Sequence, residues 1–549
     1  MAKSRNHILP RFVFILILSL AMLACRTLFP AERQSPAETV QAFTPSPLPA
    51  TSQATLPGLA TEPAGTGVPA TDSPATGAPT PTAAGQAAAL LPEAQGDLQA
   101  IRGLANYHIQ VDINMDELTF AGRARVEYTN TESVALGELN FRLFPNGGKS
   151  YGNGSLMVTE ASLDGQSVQT QLSLENTVLE LQLTQELAPG EQAQIDLGFA
   201  GVVPRDFGGD QTPEGYGIYN YSQGVLALAG WYPILAVYDE QGWNLDPVSG
   251  IGDSVYADMA FYSVEVSLPS HWVLAATGVE TSRSTENAFT SYQLISGPVR
   301  EFFMIASADF QVESQSAAGT MINSFYLPGS QTGGQIANQV AAEALQVFND
   351  KFGRYPYNEL DVVQVPMRYA AGVEFPGIIL IASNLYRFHA QPFFLETLAH
   401  EVAHQWWYNL VGNDVFEHPW MDEALTTYSS AIYFQNSGAP ELYRDAMENY
   451  QSEYEQAVNL GYDEPVAAGL AHFESLEQSG GVYGAIVYAK GALFFRAVRE
   501  EIGDEAFFQA LQDYFQTFKY QIARPEDLLG AFETASGRQL EALYQEWLY

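Results

Sequence analysis

The chain has 549 residues, which exceeds what one hydrophobic core usually organises and favours two or three domains. Hydrophobic residues make up 46% and charged residues only 16%, a composition that excludes global disorder. The 63 acidic and 24 basic residues give a formal net charge of −39, which repels nucleic-acid phosphates, so we expect no nucleic-acid partner. One cysteine excludes a disulfide framework and any multi-cysteine metal site, so a metal must be held by histidines and carboxylates.

The N-terminus has the order of an export signal. Basic residues precede an apolar run over residues 12–23, and Ala24 and the lone Cys25 follow. As a helix this run rises about 18 Å, short of the roughly 30 Å hydrocarbon core of a bilayer, which favours a cleaved signal over a spanning helix.

The stretch LAMLAC, which ends at Cys25, resembles a bacterial lipobox, whose cysteine is lipidated and becomes the first residue of the mature protein. We therefore predict a signal peptide at residues 1–24 and an exported protein anchored to the bacterial membrane surface through Cys25. An ordinary signal peptide with an incidental cysteine is the alternative.

Three further segments differ in composition and period. Residues 25–95 carry, after Cys25, mostly Pro, Thr, Ala, Ser and Gly, which cannot bury enough apolar surface to fold, and we predict a disordered stalk. Residues 96–314 show short alternating runs broken by Gly, Asn and Pro, which predict an N-terminal antiparallel β domain. Residues 315–549 show helical periodicity with strand-like segments at Leu360 and Gly377, which predicts an α+β catalytic domain.

The motif His400-Glu401-Val402-Ala403-His404 lies in a run of helix-compatible residues. Residues four apart share one face of a helix, so both imidazoles can reach one ion while Glu401 lies beside it. Such a zinc site needs a third protein ligand, and Glu423 follows His404 by 19 positions. A core helix that carries these residues by chance is the alternative, although burying them without a metal would be costly. The pattern predicts one Zn²⁺ per chain, held by His400, His404 and Glu423.

The spacing HExxH, eighteen residues, then Glu resembles the aminopeptidase N family of zinc metallopeptidases, or gluzincins, and further stretches strengthen the resemblance. HQWWYNLVGND is similar to the helix continuation after the family's motif. WMDEALTTY is similar to its ligand-bearing segment, with Asp422 in place of the usual Asn. Tyr488 in the sequence YAKG corresponds to the family's transition-state tyrosine, and Tyr483 matches a tyrosine that recurs close to the active site.

The stretch AGVEF at residues 371–375 resembles the family's exopeptidase motif GxMEN. The resemblance aligns Glu374 with the carboxylate that binds the free α-amine of the substrate and places Gly372 in the same substrate-binding motif. Phe375 replaces the family's Asn and Val373 replaces its Met. The resemblance therefore implies an aminopeptidase whose substrate-binding residues are Glu374, Gly372 and Tyr483.

The resemblance also implies a saddle-like β domain followed by a thermolysin-like catalytic domain, in a short form without the family's C-terminal helical domain and with a more open cleft. It implies an enzyme that acts on peptides with a free N-terminus, with Glu401 as general base and Tyr488 as the group that stabilises the oxyanion. Together with the predicted anchor at Cys25, this predicts a surface-anchored aminopeptidase that acts on extracellular peptides. Two alternatives stay open, an endopeptidase of the same zinc class and a non-catalytic binding protein on this fold. The sequence makes no prediction of the oligomeric state.

Overall fold

A computed structural model describes residues 83–206, 216–253 and 255–549. The predicted signal peptide, Cys25 and most of the predicted stalk lie outside these residues. Within the described ranges, no helix combines the length and the apolar character needed to cross a membrane.

The first half of the described chain is a β domain, because its apolar residues alternate with polar ones. In the central strand over residues 260–269, for example, every second side chain is buried. The strands are β1 Ala105–Asn114, β2 Thr119–Thr129, β3 Leu136–Arg142, β4 Ser155–Leu163, β5 Gln166–Ser167, β6 Gln169–Ser173, β7 Val178–Leu187, β8 Gln192–Val202, β9 Tyr219–Ser222, β10 Val225–Leu228, β11 Ile234–Leu235, β12 Tyr238–Asp239, β13 Gly242–Trp243, β14 Ala260–Pro269, β15 Val273–Ala276, β16 Val279–Glu286, β17 Phe289–Ile295 and β18 Met304–Ser307.

These strands form an eight-stranded sheet in the order β16-β17-β14-β1-β2-β8-β4-β5 and two four-stranded sheets, β15-β18-β10-β9 and β11-β3-β7-β6. The predicted antiparallel pairing has one exception in the large sheet, since β1 and β14 run parallel. A parallel pair needs a long connection, and here the chain passes through the other sheets between the two strands. Trp231, fully buried, packs against the rings of Phe120 and Phe199 of the large sheet.

The second half is the α+β domain that the period change predicts. Its sheet has the order β19-β20-β21-β23-β22, and helices follow and flank it. The strands are β19 Gln311–Ala317, β20 Thr320–Tyr326, β21 Glu359–Val365, β22 Gly372–Phe375, β23 Ile378–Ala382, β24 Val411–Gly412 and β25 Gln521–Ile522. The helices are α1 Gln331–Lys351, α2 Pro392–Ala403, α3 Trp420–Asn436, α4 Pro440–Asn459, α5 Leu470–Glu474, α6 Ser479–Tyr483, a π-helix at Gly484–Lys490, α7 Gly491–Ile502, α8 Asp504–Phe518, α9 Pro525–Ser536 and α10 Glu541–Trp547.

Both predicted domain boundaries shift in the structure. Residues 83–95, predicted as stalk, contain short helical turns, and the Leu91 N–H donates to the Pro356 carbonyl at 2.8 Å. Leu90 and Leu91 are buried, and removing these apolar side chains from water stabilises the packing of this segment on the folded domains. At the other boundary, β19 starts at Gln311, before residue 315, because it pairs with β20 of the catalytic sheet.

A buried arginine joins the two domains. Arg300, which follows β17, donates through Nε to the carbonyls of Tyr408 and Asn409 at 2.6 and 3.0 Å, and through Nη2 to the carbonyl of Gln521 at 2.6 Å. Gly412 makes room for it, because a Cβ there would lie 2.5 Å from Arg300 Nε. The β domain is thus fixed to the segment that follows the HExxH motif.

Replacing Arg300 by Met is expected to destabilise the protein by about 3 kcal/mol or more, because several buried carbonyls lose their donor at once. Thermal unfolding followed by calorimetry should show a lower midpoint and a separation of the two domains into two transitions. Arg125→Met is the control, since Arg125 pairs with Asp196 at the surface and its side chain is 51% exposed. One unchanged transition in Arg300→Met would contradict this role.

Candidate metal centre and active site

The HExxH motif lies at the end of α2. Pro392 starts this helix without losing a hydrogen bond, and His404 caps its C-terminus. The predicted helix continuation through HQWWYNLVGND is wrong, because the chain folds back after His404. The Asn409 N–H donates to the His404 carbonyl at 3.0 Å, and Tyr408 adopts a φ of 117°. This turn presents the carbonyls that Arg300 binds.

The three predicted metal ligands converge. His400 Nε2 lies 3.1 Å from His404 Nε2, and Glu423 Oε2 lies 3.3 and 3.4 Å from these two atoms. Ligand atoms bound tetrahedrally to zinc at about 2.0–2.1 Å are about 3.3–3.4 Å apart, so the spacing fits one zinc ion. Glu423 Oε2 is buried and has no hydrogen-bond partner among the described residues, as expected of an atom reserved for a cation.

Hydrogen bonds orient the second histidine. His404 Nδ1 lies 3.0 Å from the Trp407 carbonyl, so Nδ1 carries the proton and Nε2 presents its lone pair. Thr426 Oγ1, on the helix that carries Glu423, lies 3.4 Å from the same nitrogen. Both the turn after α2 and the neighbouring helix α3 therefore hold the ring in the orientation that a metal ligand needs.

The buried carboxylates of the site also favour the binding of a cation. Burial is the largest cause that raises the pKa of both Glu374 and Glu401, and the charge of Glu423 adds to it. Burial opposes protonation of His404, yet the carboxylates around it, Glu374 first, raise its pKa well above the ordinary value. Burial would likewise raise the pKa of Glu423, but the two imidazoles outweigh it and hold that pKa low. A bound Zn²⁺ would supply the positive charge that these carboxylates otherwise draw from a proton on His404.

The predicted general base, Glu401, is 5% exposed and faces the strand that carries Gly372. A Cβ on Gly372 would lie 2.5 Å from Glu401 Cδ, so only glycine leaves space for this carboxylate. Glu401 Oε2 is buried and, like Glu423 Oε2, lacks a hydrogen-bond partner in the described part of the chain. The structure thus gives Gly372 the role of admitting the general base, in addition to its place in the predicted substrate-binding motif.

The predicted amine-binding residue lies next to the metal centre. Glu374, on the edge strand β22, is 8% exposed, and its Oε1 lies 3.9 Å from His404 Nε2. The altered motif has a physical reason, since the Phe375 ring stacks on Phe303 of the β domain with centroids 3.9 Å apart and planes 9° apart. Where the family has Asn, this chain makes an apolar contact between domains.

Tyr488 joins the site from a π-helix, an element that the sequence analysis did not anticipate. Its hydroxyl donates to Glu423 Oε1, and its ring stacks on His400 with centroids 5.8 Å apart. Gly491 lets this segment approach α3 closely, because a Cβ there would overlap the Cβ of Ala424. The glycine of YAKG was a signal for this close approach, whereas the π-helix had no sequence signal. Tyr488 is therefore held at the metal centre.

Tyr483 lies farther from the metal ligands than Tyr488 and contacts them through the Tyr488 ring. Its ring packs edge-on against Tyr488 at 5.6 Å, and a Cβ on Gly252 would lie 2.9 Å from its buried hydroxyl. The Gly250 N–H, in the same loop of the β domain, donates to Glu474 at 2.6 Å. This loop, which the sequence analysis missed, covers one side of a cleft that was expected to be more open.

The loop continues to Asp253, a further acidic residue near the site. Its negative charge contributes to the raised pKa of groups on three separate elements, Glu374, Asp422 and Tyr483. Burial is the larger cause in each case. The β domain thus supplies part of the electrostatic environment of the metal centre.

The geometry predicts that the purified protein holds one zinc per chain and that Glu423→Gln loses it. Loss of a direct ligand should lower zinc affinity by more than the roughly 10- to 100-fold cost of losing an outer-shell partner. Elemental analysis measures the zinc content. A chelator should lower the unfolding midpoint of the zinc-bound wild type and leave that of the zinc-free Glu423→Gln variant unchanged. Asp422→Asn is the matched control, because Asp422 is equally buried but lies outside the ligand cluster. Full zinc content in Glu423→Gln would contradict this assignment.

Comparison with known proteins supports the same assignment. The peptidase family M1 domain matches residues 336–547. Aminopeptidase 2 of Candida albicans is 23% identical over 472 residues, which cover 80% of this chain and 46% of that protein. Aminopeptidase M1-A of Oryza sativa subsp. japonica is 24% identical over 302 residues, which cover 52% of this chain and 34% of that protein. The chain thus spans less than half the length of both relatives.

Solved structures share the two-domain fold. The M1 zinc metallopeptidase from Deinococcus radiodurans superposes with a TM-score of 0.62 at 21% identity, covering 82% of this chain and 94% of that one. A variant of it bound to a Tyr-Ser-Ala substrate gives a TM-score of 0.60 at 20% identity, covering 81% and 94% of the two chains. The matched domain, the ligand triad and the shared fold agree, and residues 336–547 form a peptidase family M1 domain.

Proposed function

We propose that this protein is a zinc aminopeptidase that removes single residues from peptides with a free N-terminus. The observation that carries the proposal is the position of Glu374, a buried carboxylate beside the ligand His404 and the carboxylate of Glu401. A carboxylate at this position favours a protonated α-amine over a blocked one, because a blocked substrate leaves it without its charge partner.

Each residue of the site has a chemical task. His400, His404 and Glu423 would hold the zinc ion, which when bound would act as a Lewis acid on the scissile carbonyl and lower the pKa of water. Glu401 takes a proton from the attacking water and returns it to the leaving nitrogen. As the carbon–nitrogen bond breaks, the hydroxyl of water remains on the carbonyl carbon and the proton ends on the amine.

The other groups act on the substrate. Tyr488, whose hydroxyl is held beside Glu423, donates a hydrogen bond to the carbonyl oxygen as negative charge develops on it. Glu374 binds the α-ammonium group and so places the first peptide bond, rather than a later one, at the reacting centre. The loop over residues 249–252 covers the side of Tyr483, which supports a bounded first subsite. The proximity of Glu374 to the metal centre thus favours the aminopeptidase over the endopeptidase alternative.

Glu401→Gln is expected to lower peptide hydrolysis by roughly 10²- to 10⁴-fold, the range of general acid–base catalysis, with zinc content unchanged. Glu374→Gln should raise KM for peptides with a free N-terminus and should reduce the preference for them over N-acetylated peptides. Digestion of matched free and acetylated peptides, followed by mass spectrometry of the released amino acids, measures both effects. Glu396→Gln is the control. Glu396 lies on the same helix as Glu401, but its carboxylate accepts a hydrogen bond from Tyr450 and is not part of the site.

Two outcomes would contradict the proposal. Cleavage of acetylated peptides at the same rate as free ones would indicate an endopeptidase. A wild type that holds no zinc and cleaves neither kind of peptide would indicate a binding protein on this fold.

We also propose that the protein is exported and held at the membrane surface through a lipid on Cys25. The proposal is supported by the basic residues, apolar run and small residue that precede this cysteine, which lies outside the described residues. Extracellular peptides would then be its substrates.

Mass spectrometry of the mature N-terminus is expected to find a chain that starts at a lipid-modified Cys25. Cys25→Ala should abolish the lipid mass and release the protein from the membrane fraction, because the formal net charge of −39 opposes attachment to an anionic surface. Cleavage elsewhere, or an unmodified Cys25 in the wild type, would refute the anchor.

A further inference from the structure

A buried glutamine connects the metal centre with the strand that carries Glu374. Gln405 follows the ligand His404 and is fully buried. Its Nε2 donates to the Phe375 carbonyl at 3.0 Å, and its Oε1 accepts from the Gly377 N–H at 2.9 Å. One side-chain amide therefore bridges two backbone groups just beyond Glu374, with its donor and its acceptor both satisfied.

These two backbone groups belong to a tight turn. Phe375 pairs with Ile378 across β22 and β23, so Pro376 and Gly377 are the central residues of the turn. Pro376 has no N–H, and Gly377 has a φ of 74°, the combination that a type II turn favours. The Gly377 N–H lies outside the strand ladder and needs another acceptor, which Gln405 provides.

The strand itself is poorly fixed by the sheet. β22 is at the edge of its sheet, and within the described part of the chain it pairs only with β23, over the four residues from Gly372 to Phe375. Besides this pairing, two side-chain contacts hold the end of the strand, the stacking of Phe375 on Phe303 and the bridge from Gln405. The ring stack restrains Phe375 but makes no directional bond to the backbone, whereas the amide bridge fixes both position and orientation of the turn.

We propose that Gln405 is a positioning residue that sets the distance from the metal centre to Glu374 and thereby restricts cleavage to the first peptide bond. The proposal rests on the proposed aminopeptidase function. Consecutive Cα atoms are about 3.8 Å apart, so a turn bonded to Gln405 cannot shift without moving relative to the ligand at the preceding position. The bridge thus acts as a spacer between the group that binds the α-amine and the group that holds the metal.

Gln405→Met keeps the length of the side chain but removes both hydrogen bonds. For peptides with a free N-terminus we expect KM to rise about tenfold or more, while kcat/KM for N-acetylated peptides stays within about twofold. Zinc content should remain one per chain. As a readout without turnover, calorimetry should show weaker binding of L-leucine, which has a free α-amine, and unchanged binding of N-acetyl-L-leucine.

Asn338→Leu is the matched control. Asn338 is also buried, and its amide also bonds two backbone carbonyls, those of Glu313 and Ile322, at 2.9 and 3.0 Å. Its bonds join α1 to the opposite end of the sheet, to β19 and β20. We expect this variant to lose stability without any change in the ratio of free to acetylated activity.

The following outcomes decide between the possibilities. A proportional loss on free and acetylated peptides in Gln405→Met would reduce Gln405 to a structural residue and overturn the proposal, as would no loss at all. If the wild type itself does not distinguish free from acetylated peptides, the proposed function fails first. If Gln405→Met does not fold, Gln405→Asn keeps a buried amide but is one methylene too short to reach both backbone groups, and an unchanged ratio in that variant would overturn the proposal.

Discussion

The constraint on which the site depends is the burial of four carboxylates around two imidazoles. Glu374, Glu401, Asp422 and Glu423 are each less than one-tenth exposed. Charged carboxylates so close together are expensive to bury without a compensating cation, and the ligand triad has the spacing that one tetrahedral ion requires. The fold, the hydrogen bonds and the chemistry of the site are all consistent with meeting this one electrostatic demand.

The β domain contributes to the site instead of only preceding it. Arg300 fixes the turn after the metal-binding helix, and Phe303 packs on the residue next to Glu374. The loop that contains Gly250 and Gly252 contacts Glu474 and Tyr483 on helices of the α+β domain. The relative position of the metal ligands, Glu401 and Glu374 is therefore a property of the junction between the domains, as is common for ligand sites.

Much of this could be predicted from the sequence, because the relevant signals are local. The HExxH spacing places two imidazoles on one helix face, and the change from period two to helical period marks the two domains. The junction could not be predicted in this way, since the partners of Arg300 in the α+β domain are carbonyls more than a hundred positions away. The replacement of Asn by Phe375 was visible, but its reason depends on Phe303, a contact that local periodicity does not reveal. The sequence did not predict the helix end at His404, because tertiary contacts of the following turn, such as those of its carbonyls with Arg300, override local helix propensity.

The π-helix over residues 484–490 gives the position of Tyr488 an unusual origin. A π-helical segment accommodates an extra residue in a helix that otherwise has α geometry on both sides. In an α-helix each residue turns the side chain by about 100°, so the direction of the Tyr488 hydroxyl depends on the number of residues in this segment as well as on their identity. The number of residues in this segment thus determines where the Tyr488 hydroxyl points. A comparison of side-chain identities position by position does not detect this dependence on length.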